Sequence, residues 1–330
     1  MNIVFFSAKK YDQESFETIN KHYGFELRFF DIHLNAETAP VAAGADAVCV
    51  FVNDQLDEAC LTALAAQNIS LVLLRCAGFN QVDRAAAQRL GITIARVPAY
   101  APEGVAEHAV GLILALNRKL CKAHSRVRET NFSLDGLQGF NLHGCPVGVV
   151  GTGKIGAAFC RIMLGFGCDV YAFDTMPDSA LIALGVKYIS CNELFTSARI
   201  ISLHCPLVPE TYHIINNEAL GLMPHGVMLI NTSRGGLIDT PAVIQHLKTG
   251  QVGYLGLDVY EEEGNLFFND ESEHILQDDV FARLLTFPNV LITGHQAFLT
   301  REALHNIGET TLNNAKLEFN GKNCGNRLPI

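Results

Sequence analysis

The stretch VGVVGTGKIG, residues 147–156, decides the fold. A short apolar β-run leads directly into Gly151, Gly153 and Gly156, spaced as GxGxxG. The first glycine permits a tight turn, and the second lets the backbone approach a pyrophosphate. The third allows a helix to pack closely on the strand, with its N-terminus facing the phosphates. GxGxxG alone is common, but here a helical stretch follows, and Asp174 ends the next strand-like run, 18 residues after Gly156. In that position a carboxylate accepts hydrogen bonds from the adenosine ribose and repels a 2′-phosphate, so NAD is favoured over NADP. The ordinary alternative for Asp174 is a solvated strand-end cap.

Working outward, apolar runs at 146–150, 169–173, 199–203, 227–231, 254–258 and 289–293 alternate with helical stretches. Six such strands match two mononucleotide-binding halves. An earlier series lies at 2–7, 26–30, 46–52, 71–75 and 92–97, and Pro98 ends it. The fold class is therefore α/β, with two doubly wound parallel-sheet domains of Rossmann-like or flavodoxin-like type. The stretch from Pro102 to Leu120 opens with a helix-start proline and Glu103 in its first turn. Its apolar residues occupy most of the circumference, which predicts burial between domains or against a second subunit. The stretch 301–319 is helical with no strand of its own and is expected to pack back onto the N-terminal domain. The layout expected is a substrate domain from 1–100 and 300–330, with a cofactor domain at 101–299 inserted into it.

At 330 residues the chain suits about two domains. Its composition, 49% hydrophobic and 18% charged, is ordinary for a globular protein. The net charge of −10 argues against nucleic acid or anionic membrane as partner, so an anionic substrate would need a local basic residue. The ten cysteines form no CxxC pair, and Cys49, Cys160 and Cys205 sit in apolar runs. That pattern reads as the reduced, buried thiols of a cytosolic protein, with neither a disulfide framework nor a metal site. The opening MNIVFFSAKKYD reads as a first strand and not a signal peptide. No apolar run approaches the ~20 residues that span a bilayer, so a soluble, cytoplasmic protein is expected.

Ligands of open α/β sheets bind beyond the carboxyl ends of the strands. Polar residues gather at those ends here. Cys205-Pro206 follows RIISLH, and Thr232, Ser233, Arg234 and Gly235 follow VMLIN. Asp258 and the run Glu261, Glu262 and Glu263 follow YLGL, while His295 follows NVLIT. Each has a plain reading. Arg234 could be a surface ion-pair partner, and His295 a satisfied structural histidine. The three glutamates read as a solvated acidic face, with at most one pointing at a histidine. Together they suit the reduction of a 2-keto acid, which needs a hydride from a nicotinamide and a proton for the developing alkoxide. It also needs a cation for the carboxylate and carbonyl. A histidine supplies the proton near neutral pH, a carboxylate beside it favours its charged form, and an arginine fork suits the substrate carboxylate.

These residues, with RCAGFNQVD (75–83), VPAYAPEGVAEHA (97–109), INTSRG (230–235), DVYEEE (258–263) and GHQAFLT (294–300), resemble the D-isomer-specific 2-hydroxyacid dehydrogenases. The likeness covers essentially the full length and points to the fermentative NAD-dependent D-lactate dehydrogenases. It implies Arg234, Glu263 (by its spacing from Asp258) and His295 as the catalytic set. It implies NAD contacts at Gly151, Gly153, Lys154, Ile155, Gly156, Asp174, Cys205, Pro206, Thr232, Ser233, Arg234 and Asp258. Thr211 stands where the family usually has a cofactor-binding asparagine. Substrate contacts would come from Cys76, Ala77, Gly78 and Tyr100, with Arg234 and His295. Family members are two-domain enzymes that close over the substrate as homodimers or homotetramers. The resemblance implies pyruvate reduction to D-lactate; the D stereochemistry rests on it alone. A larger 2-keto acid, such as phenylpyruvate or a branched one, is the alternative substrate. The alternative of a different class is an NADH-sensing binding protein.

Overall fold

Strands of a parallel sheet covered on both faces are apolar along their whole length, because neither face meets water. Ala47–Val50 and Ile200–Leu203 are buried at every position, as such strands require. The computed structural model describes residues 1–329, and each strand pairing in it is parallel. The chain divides into two units. One comprises Met1–Ala101 and the segment from Leu299, and the other Pro102–Phe298.

In the first unit, β1 (Asn2–Phe5), β2 (Glu26–Phe29), β3 (Ala47–Val50), β4 (Leu71–Leu74) and β5 (Thr93–Arg96) lie in the order β2-β1-β3-β4-β5. This is the flavodoxin-like doubly wound order. Ile3 lies opposite both Leu27 and Ala47, which sets the register at the switch point. The helix Arg301–Phe319, capped by Thr300 through the amide of Ala303, packs on this unit. Asn314 Nδ2 donates to the carbonyl of Arg96, and Phe25 meets Phe319 edge-on at 5.8 Å.

In the second unit, β6 (Pro146–Val150), β7 (Asp169–Phe173), β8 (Lys187–Tyr188), β9 (Ile200–Leu203), β10 (Val227–Asn231), β11 (Val252–Leu257) and β12 (Val290–Ile292) form one sheet. Its order is β12-β11-β10-β9-β6-β7-β8. The chain reverses direction of build at β6/β9, where Val147 pairs with both Val170 and Ile200, and that reversal leaves a crevice for a dinucleotide. The sheet has one strand beyond the six expected. β8 is a two-residue edge strand, too short to show a period of two.

The helix Pro102–Arg118 stops earlier than expected. Lys119 turns left-handed, at φ 51°, and a separate helix, Leu120–Arg128, follows. The apolar face of Pro102–Arg118 is covered from within its own unit, where Ala109, Ile113 and Leu116 pack with Val147, Phe159 and Ile230. Part of the expected burial of this helix is supplied by its own unit's sheet.

Candidate active site at the strand ends

The glycine turn follows β6. Gly151 has φ +93°, open to glycine but costly for other residues, and a Cβ there would lie 2.6 Å from the Cys205 nitrogen. A Cβ on Gly156 would lie 1.9 Å from the Gly151 carbonyl oxygen, so the helix Lys154–Gly165 sits directly on the turn. Gly153 is different: a Cβ there would meet nothing within 4 Å. No side chain caps that helix, so its first amides point from the turn toward open space. These features fit a pyrophosphate. Lys154 is exposed beside them, and Ile155 packs partly into the core.

Asp174 lies at the end of β7. Its carboxylate accepts from the Thr152 amide at 2.6 Å, the Thr152 hydroxyl at 3.1 Å and the Met176 amide at 2.9 Å. Partial burial pushes its pKa up, but these hydrogen bonds outweigh it and hold the carboxyl below its usual value. Asp174 therefore stays ionised beside the glycine turn at neutral pH. Tyr188, on the unforeseen strand β8, donates to Thr152 Oγ1 at 2.9 Å and so braces the same turn.

Across the switch point, Cys205 is buried and its carbonyl accepts the Ser233 hydroxyl at 2.8 Å, while Pro206 is exposed. The Thr232 hydroxyl is buried and has no partner among the described residues, an orphan that a bound ligand could satisfy. Thr211 is tied up in its own turn. Its hydroxyl donates to the Pro206 carbonyl at 2.6 Å and accepts from the Val208 amide at 2.9 Å.

Arg234 follows β10. Its Nη1 donates to the Ser233 carbonyl at 2.6 Å, and among the described residues no carboxylate pairs with the guanidinium. Gly235, next in line, is pressed on the backbone of the following strand end, where a Cβ would lie 2.1 Å from the carbonyl carbon of Tyr260. Three residues on, Glu263 Oε2 accepts the Tyr260 amide at 2.9 Å, and Oε1 lies 2.7 Å from His295 Nδ1. The His295 and Glu263 side chains are only 15% and 17% exposed. His295 Nε2 has no partner among the described residues. Imidazole, carboxylate and guanidinium thus sit along one edge of the second unit, joined by a continuous series of contacts.

Asp258, which the resemblance implies as a cofactor contact, directly follows β11. It is wholly buried, and its oxygens face inward to the Thr293 hydroxyl at 2.5 Å and the amides of Gln296 and Ala297 at 2.9 and 2.8 Å. His108 Nε2 stands 3.5 Å away. The Asp258 carbonyl also accepts the His295 amide at 2.8 Å, which holds His295 at its left-handed φ of 52°. Asp258 therefore shapes the loop that carries the histidine. Burial raises its pKa, but the bonds from His108, Thr293, Ala297 and Gln296 prevail and lower it. Its stabilising charge is fully present above the ordinary carboxylate pKa and is lost as pH falls through the lowered folded value. An Asp258→Asn protein, left with a buried donor facing donors, should be less stable at pH 7 by about 1–3 kcal/mol. In thermal melts its deficit against wild type should shrink below about pH 4; a gap that widens in acid would refute this account.

The expectation that at most one glutamate of 261–263 meets a histidine is overturned. Glu261 Oε1 lies 2.6 Å from His213 Nε2 and Glu263 Oε1 2.7 Å from His295 Nδ1, whereas Glu262 is exposed to solvent. A tandem of acids reads as a solvated face, and only a turn that splays successive side chains separates them.

The other expected substrate contacts belong to the first unit. Cys76, Ala77 and Gly78 follow β4, and Tyr100 follows β5. Arg96 Nη1 holds the Ala77 carbonyl at 2.7 Å, and Asn306 Nδ2 holds that of Tyr100. Arg75, wholly buried, donates to the carbonyls of Phe6 and Ser7 at 2.9 and 2.7 Å and stacks on Phe51. Sequence reasoning assigned no role to Arg75 or Arg96, although for Arg75 a cation directly after the apolar strand Leu71–Leu74 was the available signal.

Similarity to known proteins agrees with this geometry. Residues 110–297 match the model of the D-isomer specific 2-hydroxyacid dehydrogenase NAD binding domain. A 2-hydroxyacid dehydrogenase homolog of Haemophilus influenzae is 52% identical over 99% of this chain and 98% of that protein. The D-lactate dehydrogenase of Escherichia coli K12 is 50% identical over 99% of this chain and all of its own. The apo-structure of a D-lactate dehydrogenase from Escherichia coli, 48% identical, superposes with a TM-score of 0.92 over 100% of both chains. The D-lactate dehydrogenase of Aquifex aeolicus, solved with NAD and lactic acid, is 33% identical and superposes with a TM-score of 0.88 over 99% of both. The chain belongs to the D-isomer-specific 2-hydroxyacid dehydrogenase family, NAD-dependent oxidoreductases of two parallel-sheet α/β domains.

Proposed function

We propose that the protein catalyses the reversible NADH-dependent reduction of pyruvate to D-lactate. The observation that carries the chemistry is the His295–Glu263 pair at 2.7 Å, next to a turn bearing a guanidinium with no carboxylate of its own. Identity of about half the residues over nearly the full length to D-lactate dehydrogenases supports the substrate and the D-hand.

In this reading Arg234 binds the carboxylate of pyruvate with the donors that Ser233 leaves open, and polarises the ketone. NADH, when bound, supplies the hydride. Glu263 fixes His295 through Nδ1, so Nε2–H is presented to the ketone oxygen and passes its proton to the developing alkoxide. In the reverse direction neutral His295 accepts that proton. Gly151, Gly153, Lys154, Ile155, Gly156, Asp174, Cys205, Pro206, Thr232 and Ser233 would hold the cofactor. Backbone of Cys76, Ala77 and Gly78, with Tyr100, would add substrate contacts, as the family implies.

Two measurements test the reading. A panel of keto acids followed by NADH absorbance, with both lactate enantiomers in reverse, should give pyruvate and D-lactate the highest kcat/KM. A preference for phenylpyruvate or a branched acid would reassign the substrate, and no turnover at all would leave an NADH-binding protein. Asp174→Ala removes the charge that repels a 2′-phosphate, so the NADPH-to-NADH ratio of kcat/KM should rise by roughly 10-fold or more. An unaltered ratio would remove Asp174 from the ribose site.

A fermentative role in the cytoplasm fits the thiols, for all ten cysteines are free and burial pushes that of Cys49 up to about 12. No helix among the described residues is long and apolar enough to cross a membrane. A homodimer or homotetramer is supported by Val127, Phe132 and Leu134, large apolar side chains exposed along one segment.

A further inference from the structure

The turn after Arg234 lies in a slot. On one side a Cβ at Gly235 would strike the backbone of Tyr260 and Glu261, at 2.1 to 2.3 Å. On the other side the Gly236 carbonyl accepts the His213 amide at 2.9 Å, and a Cβ at Gly236 would meet Leu207 at 3.1 Å. One wall is thus the 260–261 backbone and the other the 207–213 loop. The side chains of these walls meet each other: His213 Nε2 to Glu261 Oε1, 2.6 Å. The second oxygen of Glu261 accepts the Thr240 amide at 3.0 Å, at the start of the helix that follows the Arg234 turn. His213 itself holds a left-handed φ of 51° and stacks on Tyr212 at 3.9 Å. A non-glycine residue in that region costs of order 1 kcal/mol or more and persists only when its surroundings impose it.

We propose that His213 and Glu261 form a clasp that positions Arg234 for the substrate carboxylate. The pair joins the two walls and the segment leaving the slot, so it fixes where the guanidinium is presented. It also ties that position to the segment carrying Glu263, two residues beyond Glu261. The clasp touches neither substrate nor cofactor in this scheme; both members are positioning residues. The inference rests on the assignment of Arg234 to the carboxylate. Its contacts reach neither the glycine turn nor Asp174, although the loops it joins also carry Thr211, Thr232 and Ser233, so dinucleotide binding should weaken less than pyruvate binding.

The test is steady-state kinetics with pyruvate, and NADH titration by fluorescence, on Glu261→Ala, Glu261→Gln, His213→Asn and the His213→Asn/Glu261→Ala double variant. Asparagine is chosen because it tolerates a left-handed φ. Glu261→Ala should raise pyruvate KM about 10-fold or more while the NADH Kd moves less than about 2-fold, since a small misplacement of a binding group costs rate steeply. Glutamine can accept from Thr240 and donate to neutral His213, so Glu261→Gln should stay within about 3-fold of wild type. The double variant should be little worse than Glu261→Ala, because both changes open one contact. Equal effects on pyruvate and NADH, no rescue by glutamine, or additive losses would each overturn the clasp and leave a merely structural pair. If Glu261→Ala does not fold, His213→Asn and Glu261→Gln carry the same comparison. Arg234→Lys serves as reference. Unchanged pyruvate KM there removes the Arg234 assignment and the clasp with it, whereas a raised KM beside a normal Glu261→Ala removes the clasp alone.

Discussion

Replacing His295 with alanine should lower pyruvate turnover by about 10²–10⁴-fold, the ordinary worth of a positioned general acid. NADH binding should survive. The backbone at 295 is held by its amide to the carbonyls of Asp258 and Thr293, at 2.8 and 3.1 Å, and both bonds outlast the loss of the ring. Alanine at a φ of 52° bears much the same left-handed strain that histidine already carries, so the protein should stay folded at assay temperature. What is removed is the donor that Glu263 aims. Fluorescence titration with NADH beside single-turnover pyruvate reduction separates binding from chemistry. Pyruvate reduction at the wild-type rate would remove His295 from the role of acid.

Arg234→Lys should be the second large effect. The guanidinium commits Nη1 to Ser233 and keeps its remaining donors in a rigid plane. An ammonium keeps the charge but offers no fork, so one of two charge-assisted hydrogen bonds to the carboxylate is lost. Such a bond is worth about 1.5–3 kcal/mol, or roughly 10–150-fold in kcat/KM with pyruvate. Stability should change little, because among the described residues no carboxylate depends on this side chain. Kinetics equal to wild type would show that the carboxylate is held elsewhere.

The doubly wound architecture was legible because glycine spacing and apolar runs report backbone geometry directly. Gly151 and Gly156 are required by a positive φ and by a 1.9 Å approach, constraints that leave a mark on residue type. The His295–Glu263 pairing was legible through resemblance and spacing, and the two side chains do meet. Other features were not. β8 is two residues long and carries no period. The loop role of Asp258, whose two oxygens accept the amides of Gln296 and Ala297, depends on a fold-back of the chain that residue order does not show. Glu261 and His213 are 48 residues apart, and sequence offers no signal for a pair that exists only once three loops have converged.

The segment from Leu299 belongs with Met1–Ala101, although nearly two hundred residues intervene. On the ribosome, the inserted unit is complete before the helix Arg301–Phe319 has been made. The nascent β1–β5 sheet must wait for that helix, with the face that receives it uncovered while the inserted unit is made. Docking of that helix, rather than closure of the nucleotide crevice, is then the step at which the first unit becomes whole.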